Sequence, residues 1–441
     1  MEFGMIAAVF ALLLMILCGF PIAYAFGVTG FLITAIAGGN SSFHLGQAMS
    51  QMGGFALLAL PLFIISGALM SEAGISDRLL RVVDRIFGQL RGGLGLVTIL
   101  SCALFGAISG SAAAAIAAIG RIMIPRMIDD GYKPGYATAL VACSSVLSLM
   151  IPPSIPMIVF AITSGISVGA AFLSTVIPGL ILAFVYALLN MAFSGVAARQ
   201  TNQKNYRSKQ ILRADHDAEQ GRKQTDLIEA SWALGLPLIV LGGIYSGIFT
   251  PTEAAAVAVV YAFFVGWIIY RRLTLRSIAS SVRDGVAMTG QIAIILFFLF
   301  VLTRSMSMEQ IPQNIANTIL GLSDNYIVVL LLLNVALLVI GMLVDDISGS
   351  ILAAVVLMPI AIKAGINPVH FAAIVGVNLG LGNVSPPCAP LLFMAGGISN
   401  LHLPAYIGPS LKLLLTGHLP VVLLVTFIPQ LALWLPNMLL N

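Results

Sequence analysis

Charged residues are scarce in this sequence: 21 basic and 17 acidic side chains among 441 residues, or 9%. A soluble surface is about one quarter charged, so two or three soluble domains are excluded despite the length. No Lys or Arg precedes Arg78. The basic start of a cleaved signal peptide is therefore missing, which predicts that residues 1–37 form a retained membrane segment with its N-terminus outside. The four cysteines, Cys18, Cys102, Cys143 and Cys388, stand singly in apolar stretches without CxxC spacing. That pattern indicates neither a zinc site nor a disulfide framework and predicts small buried packing residues. The sequence has no H-E-x-x-H and no G-x-x-x-x-G-K, and its five histidines are scattered. Gly165-Ile166-Ser167-Val168-Gly169 fits G-x-S-x-G but opens no strand-turn-helix unit. An enzyme is not expected.

What the chain has instead is apolar length. Hydrophobic residues make up 59% and the mean hydropathy is +1.04, in many runs of roughly 17 to 25 residues that match the hydrocarbon thickness of a bilayer. The runs are continuous rather than alternating, which excludes a transmembrane barrel and predicts an all-α polytopic membrane protein. The net charge of +4 then reads as a topology signal rather than a nucleic-acid footprint. Residues 76–91 place Leu79, Leu80, Val83, Ile86, Phe87 and Leu90 on one helical face and Arg78, Arg81, Asp84 and Arg85 on the other, the profile of an arm lying in the membrane interface. Residues 199–229 collect seven basic and five acidic residues and mark a hydrophilic linker, 198–231, between membrane blocks 1–197 and 232–441. Arg271, Arg272, Arg276 and Arg283 form a second basic stretch expected to face the cytoplasm.

The two blocks repeat. One offset of 234 residues, the separation of Pro125 from Pro359, also superimposes Gly131 on Gly365 and Pro134 on Pro368. The same register places Pro152, Pro153 and Pro156 on Pro386, Pro387 and Pro390. Ile108-Ser109-Gly110-Ser111 matches Ile347-Ser348-Gly349-Ser350 after a five-residue slip. Duplicated membrane halves commonly lie in opposite orientations with their sites near the midplane, and inverted repeats are the expected architecture, with a hairpin and a broken helix in 94–163 and again in 326–398.

Each half thus carries a Ser/Gly turn, expected as a re-entrant hairpin tip, and a Pro-Pro-x-x-Pro break. A double proline in an apolar helix frees carbonyl oxygens, which a hard cation such as sodium accepts together with hydroxyl and carboxylate oxygens. Such motifs also occur as plain packing devices; two copies in one order favour the ion site. Asp345 and Asp346 follow an apolar run, and each would cost roughly 2.5 to 3.5 kcal/mol near mid-bilayer, so a bound cation or a proton is expected there unless the loop emerges into water. Asn378, Asn383 and Ser385 add polar atoms near the second break, as do Ser144, Ser145, Ser148 and Ser154 near the first. Arg121, Arg126, Lys133, Arg304 and Lys363 lie near ends of apolar runs and are expected to snorkel.

Four segments carry a family resemblance: GAISGSAAAAIAAIG at 106–120, IPPSIPMIVF at 151–160, GIFTPTEAAAVAVVYA at 247–262 and NLGLGNVSPPCAPLLF at 378–393. They resemble the large membrane subunit, the DctM type, of tripartite ATP-independent periplasmic (TRAP) transporters over almost the whole chain. The resemblance implies an elevator-type, sodium-driven importer of an organic acid in a bacterial inner membrane. Its implied partners are a small four-helix membrane subunit, a periplasmic substrate-binding protein and membrane lipid. It implies sodium ligands around Ser109, Gly110, Ser111 and Pro152 in one half and Asp345, Ser348, Gly349, Asn378, Asn383 and Pro386 in the other. Ser145, Ser154, Ser350 and Ser385 are the accompanying substrate-facing candidates. Asp346 stands where many members carry Pro, and residues 383–389 differ from the commoner form, which leaves a sugar acid and a C4-dicarboxylate equally open. A stand-alone sodium or proton symporter or antiporter, or more remotely an intramembrane hydrolase using Ser167 or the Asp345/Asp346 pair, would be the alternatives.

Overall fold

Among the described residues all regular structure is helical, and proline, glycine and asparagine set most of the helix ends. The computed structural model describes residues 2–90, 92–194, 223–314, 317 and 325–440, and no strand occurs among them. The first half runs α1 (Glu2–Leu17), α2 (Ile22–Ile36), α3 (Ser41–Met52), α4 (Ala59–Glu72), α5 (Ile75–Phe87), α6 (Gly93–Ser109), α7 (Ala112–Ala115), α8 (Arg121–Asp129), α9 (Pro134–Ser145), α10 (Leu147–Met150), α11 (Ile155–Ser164) and α12 (Val168–Ser194). The second runs α13 (Lys223–Tyr245), α14 (Pro251–Phe264), α15 (Leu275–Met308), α16 (Tyr326–Leu343), α17 (Asp346–Leu352), α18 (Met358–Lys363), α19 (Pro368–Val384), α20 (Pro390–Ser399), α21 (Leu403–Leu413), α22 (Leu419–Phe427) and α23 (Gln430–Leu439). Single π turns, Ile116–Gly120 and Ala353–Leu357, join α7 to α8 and α17 to α18.

Seven described helices are long and apolar enough to cross a membrane, and the pair Pro134–Met150 and Ile155–Ser164, bent by 43°, makes an eighth if it is one span. The apolar stretch 1–37 is broken near Gly19: α1 stops at Leu17, Gly19 takes φ +79°, and Pro21 precedes α2. The 198–231 linker falls largely outside the described residues, but α13 is already helical from Lys223 and takes up the last nine residues of that span. Arg276 and Arg283 are not a loop. They lie in α15, whose 34 residues extend about 51 Å at 1.5 Å per residue, well beyond a hydrocarbon core of about 30 Å. Leu403–Phe427 is one apolar helix of 25 residues, although Pro404, Pro409, Lys412 and His418 interrupt its run and only its C-terminal part is legible as a span.

The repeat is visible in the helix ends. Ser109 and Leu343 end α6 and α16; Pro134 and Pro368 open α9 and α19; Met150 and Val384 close the straight helix before each break. All three pairs are 234 residues apart. The halves are interlocked: α11 packs on α17 and the π turn after it, whereas α20 packs on α7, α8 and the π turn between them. Likewise α9 packs on α21 and α19 on α12. Each broken helix is therefore held by elements of the other half.

The arm, α5, is helical over Ile75–Phe87, short of the expected 76–91, with Leu79, Leu80 and Val83 buried against α6 and α13 while Ile86 and Leu90, also placed on its apolar face, are exposed. Its polar face is less exposed than the sequence suggests. Arg78 is 6% exposed; its guanidinium stacks 3.6 Å from the Tyr270 ring centroid and donates to the carbonyls of Ala73 and Gly74, both at 3.1 Å. Those carbonyls end α4, where a cation offsets the negative end of the helix dipole. Arg126 does not snorkel either: it pairs with Asp84 at 2.8 Å and ties α8 to the arm. Cys102 and Cys143 are buried, but Cys18 and Cys388 are exposed.

Candidate functional site

Two hairpin tips and two proline breaks meet, each tip against the break of its own half. In the first half Gly110 ends α6 in the left-handed conformation, φ +63°, which glycine alone adopts without strain. Ser111 caps the next arm, its hydroxyl accepting from the Ala114 amide at 3.3 Å, and the Ser109 hydroxyl accepts from the Ser111 amide at 3.4 Å. The Gly110 carbonyl accepts from the Ile155 amide at 3.3 Å, and a Cβ on Gly110 would lie 2.6 Å from the Pro153 carbonyl oxygen. The arm is held as tightly one turn earlier, where a Cβ on Gly106 would stand 2.2 Å from Ser148 Cα.

Both breaks contain a cis proline-proline peptide, Pro152-Pro153 and Pro386-Pro387. Because prolines carry no N–H, Pro152 and Pro153 give no helical donor to the carbonyls of Ser148 and Leu149. Pro152, Pro153 and Ser154 are all buried, and the Ser154 hydroxyl has no hydrogen-bond partner. A buried hydroxyl without a partner beside bare carbonyl oxygens is a donor set suited to a hard cation. Ser145, by contrast, donates to its own helix at the Ala142 carbonyl, 2.7 Å.

The second tip departs from the expected place. Ser348, Gly349 and Ser350 do not form a turn; they lie in the first turns of α17. The reversal is at Val344-Asp345, and Asp345 is the N-cap, its carboxylate accepting from the amides of Ile347 at 3.1 Å and Ser348 at 3.3 Å. Asp345 is thus the counterpart of Ser111 at the unbroken offset of 234, and no five-residue slip is needed. Ser, Gly and Ser recur in both segments, but the cap geometry, which depends on backbone position, decides the register. A carboxylate at a helix N-terminus is stabilised by the amides it caps. Asp345 is exposed and needs no bound ion to offset burial.

Asp346 has the other role. The Asn383 side-chain amide donates to its carboxylate and to the Leu379 carbonyl, 2.9 Å, joining the second hairpin to the last turn before the second break. Asn378 does not share this place. Its amide donates to Asn334 Oδ1 at 2.7 Å, which also accepts from Thr426 at 3.0 Å, in a buried network joining α16, α19 and α22. Five positions separate Asn378 from Asn383, which turns them onto different faces of α19. Asn334 and Thr426 escape sequence reasoning, although a lone Asn in an apolar run is the signal that could have found the first. Ser350 and Ser385 donate to the carbonyls of Ile347 and Leu381, each at 2.7 Å. A Cβ on Gly349 would meet Leu379 Cδ2 at 2.9 Å, so this glycine permits close packing.

The two sites differ in access. Pro387 and Cys388 are exposed and Pro386 is intermediate, whereas the first break is covered. A cavity of about 550 Å³ opens near the other end of the second hairpin, between α18, α11 and α15, where Thr163, Ser164, Ser307, Gln313 and Lys363 supply its polar lining. Ser167 accepts from the Ala170 amide at the start of α12, a helix-start turn rather than a nucleophile elbow.

A family model described as the tripartite ATP-independent periplasmic transporter, DctM component, matches residues 9–431. The chain is 32% identical over 439 residues to the sialic acid TRAP transporter large permease protein SiaM of Vibrio cholerae, covering 99% of each. It is 32% identical over 450 residues to the C4-dicarboxylate TRAP transporter large permease protein DctM of Rhodobacter capsulatus, covering 98% of each. It is 35% identical over 424 residues to the isethionate TRAP transporter permease protein DctMQ of Oleidesulfovibrio alaskensis, and the match covers 95% of this chain but only 64% of that protein. The fold is similar to the crystal structure of the YdaH transporter of Alcanivorax borkumensis, with a TM-score of 0.62 over 86% of each chain at 16% identity.

Proposed function

Because the chain belongs to the family of the DctM component of TRAP transporters, multi-pass permeases of the inner membrane rather than enzymes, we propose that it imports an organic acid, coupled to sodium, as the large subunit of such a transporter. The relatives are named for sialic acid, C4-dicarboxylates and isethionate, all organic anions, and that shared charge is the substrate class proposed here. The single observation that carries the reading is the pairing of the Gly110 tip with the buried Pro152-Pro153 break around the unpartnered Ser154 hydroxyl.

Sodium enters as a co-transported substrate. Carbonyl and hydroxyl oxygens at the first tip and break, and those of Asp346 and its neighbours at the second, are the proposed ligands. Bound sodium adds positive charge beside helix N-termini, which favours a carboxylate or sulfonate between the halves. The interlocked hairpins and broken helices, lying in inverted orientation, move as one body against a scaffold of α2, α4, α14 and α15. Coupling follows if the sodium-free body binds the anion poorly, since differential affinity is all that an ion contributes to such an equilibrium. The proposed partners are a small membrane subunit and a periplasmic binding protein.

The test is uptake by proteoliposomes under an imposed sodium gradient, with a panel of organic acids and with or without the two partners. Sodium-dependent uptake that requires the binding protein is expected. Uptake that ignores the sodium gradient rejects the coupling, and uptake without the binding protein reassigns the chain to a stand-alone symporter.

A further inference from the structure

The cavity between α11, α15 and α18 lies away from both hairpin tips, and its donors are open to solvent. Lys363 ends α18 and makes no ion pair among the described residues. Ser307, in the last turn of α15, and Gln313, shortly after it, line the same space. All three side chains are exposed, and none makes a hydrogen bond among the described residues. Thr163 and Ser164, by contrast, donate to the carbonyls of Val159 and Phe160 in their own helix, both at 2.7 Å. No acidic side chain is among the described residues that line the cavity. An ammonium, a hydroxyl and an amide around one space without a carboxylate form a donor set for an anion. The volume of about 550 Å³ falls within the roughly 300 to 1,000 Å³ that small organic ligands occupy, and Met306, Met358 and Ile362 give it an apolar wall.

Arginines at the opposite end of α15 fix the side on which the cavity opens. Arg271 and Arg272 precede that helix, and Arg276 and Arg283 lie in its early part. Arg78 of the arm stacks at the same end, on Tyr270. The positive-inside rule puts this end in the cytoplasm. Because α15 is longer than the bilayer is thick, Ser307 at its far end lies on the extracytoplasmic side. There the cavity bridges two parts proposed to move against each other, α15 in the scaffold and α11 and α18 in the hairpin body. The 18 residues of Asp346–Lys363 rise about 27 Å, so Lys363 is remote from the second tip. Ala354, about halfway along, also lines the cavity, and α15 touches α17 as well. The seam between the two parts therefore continues from the cavity toward the tip.

Building on the import reading, we propose that this cavity is an entry site for the organic acid. Lys363, Ser307 and Gln313 hold its carboxylate or sulfonate after the soluble binding protein has released it and before it reaches the hairpin tips. Binding here needs no sodium, because Lys363 supplies the positive charge.

Maleimide labelling of the full chain in phosphatidylcholine nanodiscs tests this without transport. Cys18→Ser and Cys388→Ser remove the exposed cysteines, Cys102 and Cys143 being buried. Ile362→Cys then puts one reporter on the cavity wall, at a position 53% exposed. Isethionate, succinate and sialic acid are titrated in potassium without sodium. At least one should slow the labelling, at a half-protecting concentration that Lys363→Gln raises about tenfold, the scale of losing a charged hydrogen-bond partner, and that Lys363→Arg leaves close to the parent value. Gln313→Leu, which keeps every charge, should raise it by a smaller factor and guards against misfolding of the lysine variant. No protection by any of the three acids, or equal protection with and without Lys363→Gln, overturns the proposal. Protection that requires sodium belongs to the hairpin site and also overturns it. So does equal protection by glycerol, which has no charge, or protection by oleate below the concentration of every acid, which would make the cavity an acyl-chain groove. Loss of sodium-driven uptake with protection intact rejects the import reading and leaves the anion site, whereas uptake without protection rejects the entry site alone.

Discussion

Asn383 donates its side-chain amide to the carboxylate of Asp346 across the gap between the second hairpin and the last turn before the second break. The contact joins the two elements that sodium is proposed to organise, and it uses the one Asp of the adjacent pair that does not cap a helix. Asp346→Asn removes the charge while keeping the size. A hydrogen bond to a charged group contributes about 1.5 to 3 kcal/mol, so the sodium concentration for half-maximal uptake should rise at least about tenfold. An unchanged sodium titration would remove Asp346 from the ion site.

Asp345 and Ser111 are equivalent caps, and that equivalence can be tested by exchange. Asp345→Ala should lower stability by about 1 kcal/mol, the usual size of a lost N-cap. Asp345→Ser, which installs the residue of the other half, should retain most of it. Thermal melting of the purified variants reads the difference, and equal melting for both would show that the cap contributes nothing.

The close approach of Gly106 to Ser148, with no room for a Cβ at 2.2 Å, makes Gly106→Ala an overpacking change of about 1 to 3 kcal/mol. In the other half Gly382 stands against Gly341, where a Cβ would meet backbone carbon at 2.6 Å. Gly382→Ala should have a similar cost. Gly397→Ala, with nothing within 4 Å of the added Cβ, serves as the control and should melt like wild type within about 0.5 kcal/mol.

Cys388 is exposed at the second break, whereas Cys102 and Cys143 are buried. In a Cys18→Ser background, maleimide should therefore label one site. If ions and substrate close this region, sodium together with a transported acid should slow that labelling several-fold relative to potassium. A rate indifferent to both would separate the second break from the binding event.

Much of the fold is legible because its determinants are local. Gly110, Gly131 and Gly165 end helices where φ is positive, Pro134 and Pro368 open them, and Asn367 caps one through the amides of Val369 and His370. The same locality misled at Ile347-Ser348-Gly349-Ser350, where the residues of a turn lie within a helix because Asp345, two positions before that segment, had already supplied the cap.

The sequence alone determined that the chain is a bundle of membrane helices, duplicated at one offset and broken twice at proline. These follow from hydropathy, from missing backbone N–H groups and from spacing, all properties carried by the residues themselves. Only the tertiary structure decided which polar atoms have partners. It turned Asn378 toward Asn334 and Asn383 toward Asp346, buried Arg78 against Tyr270, and closed the first break under Gly110 while leaving the second open. A side chain's partner depends on which face of which neighbouring helix meets it, and that is fixed by packing between separate helices rather than by local sequence.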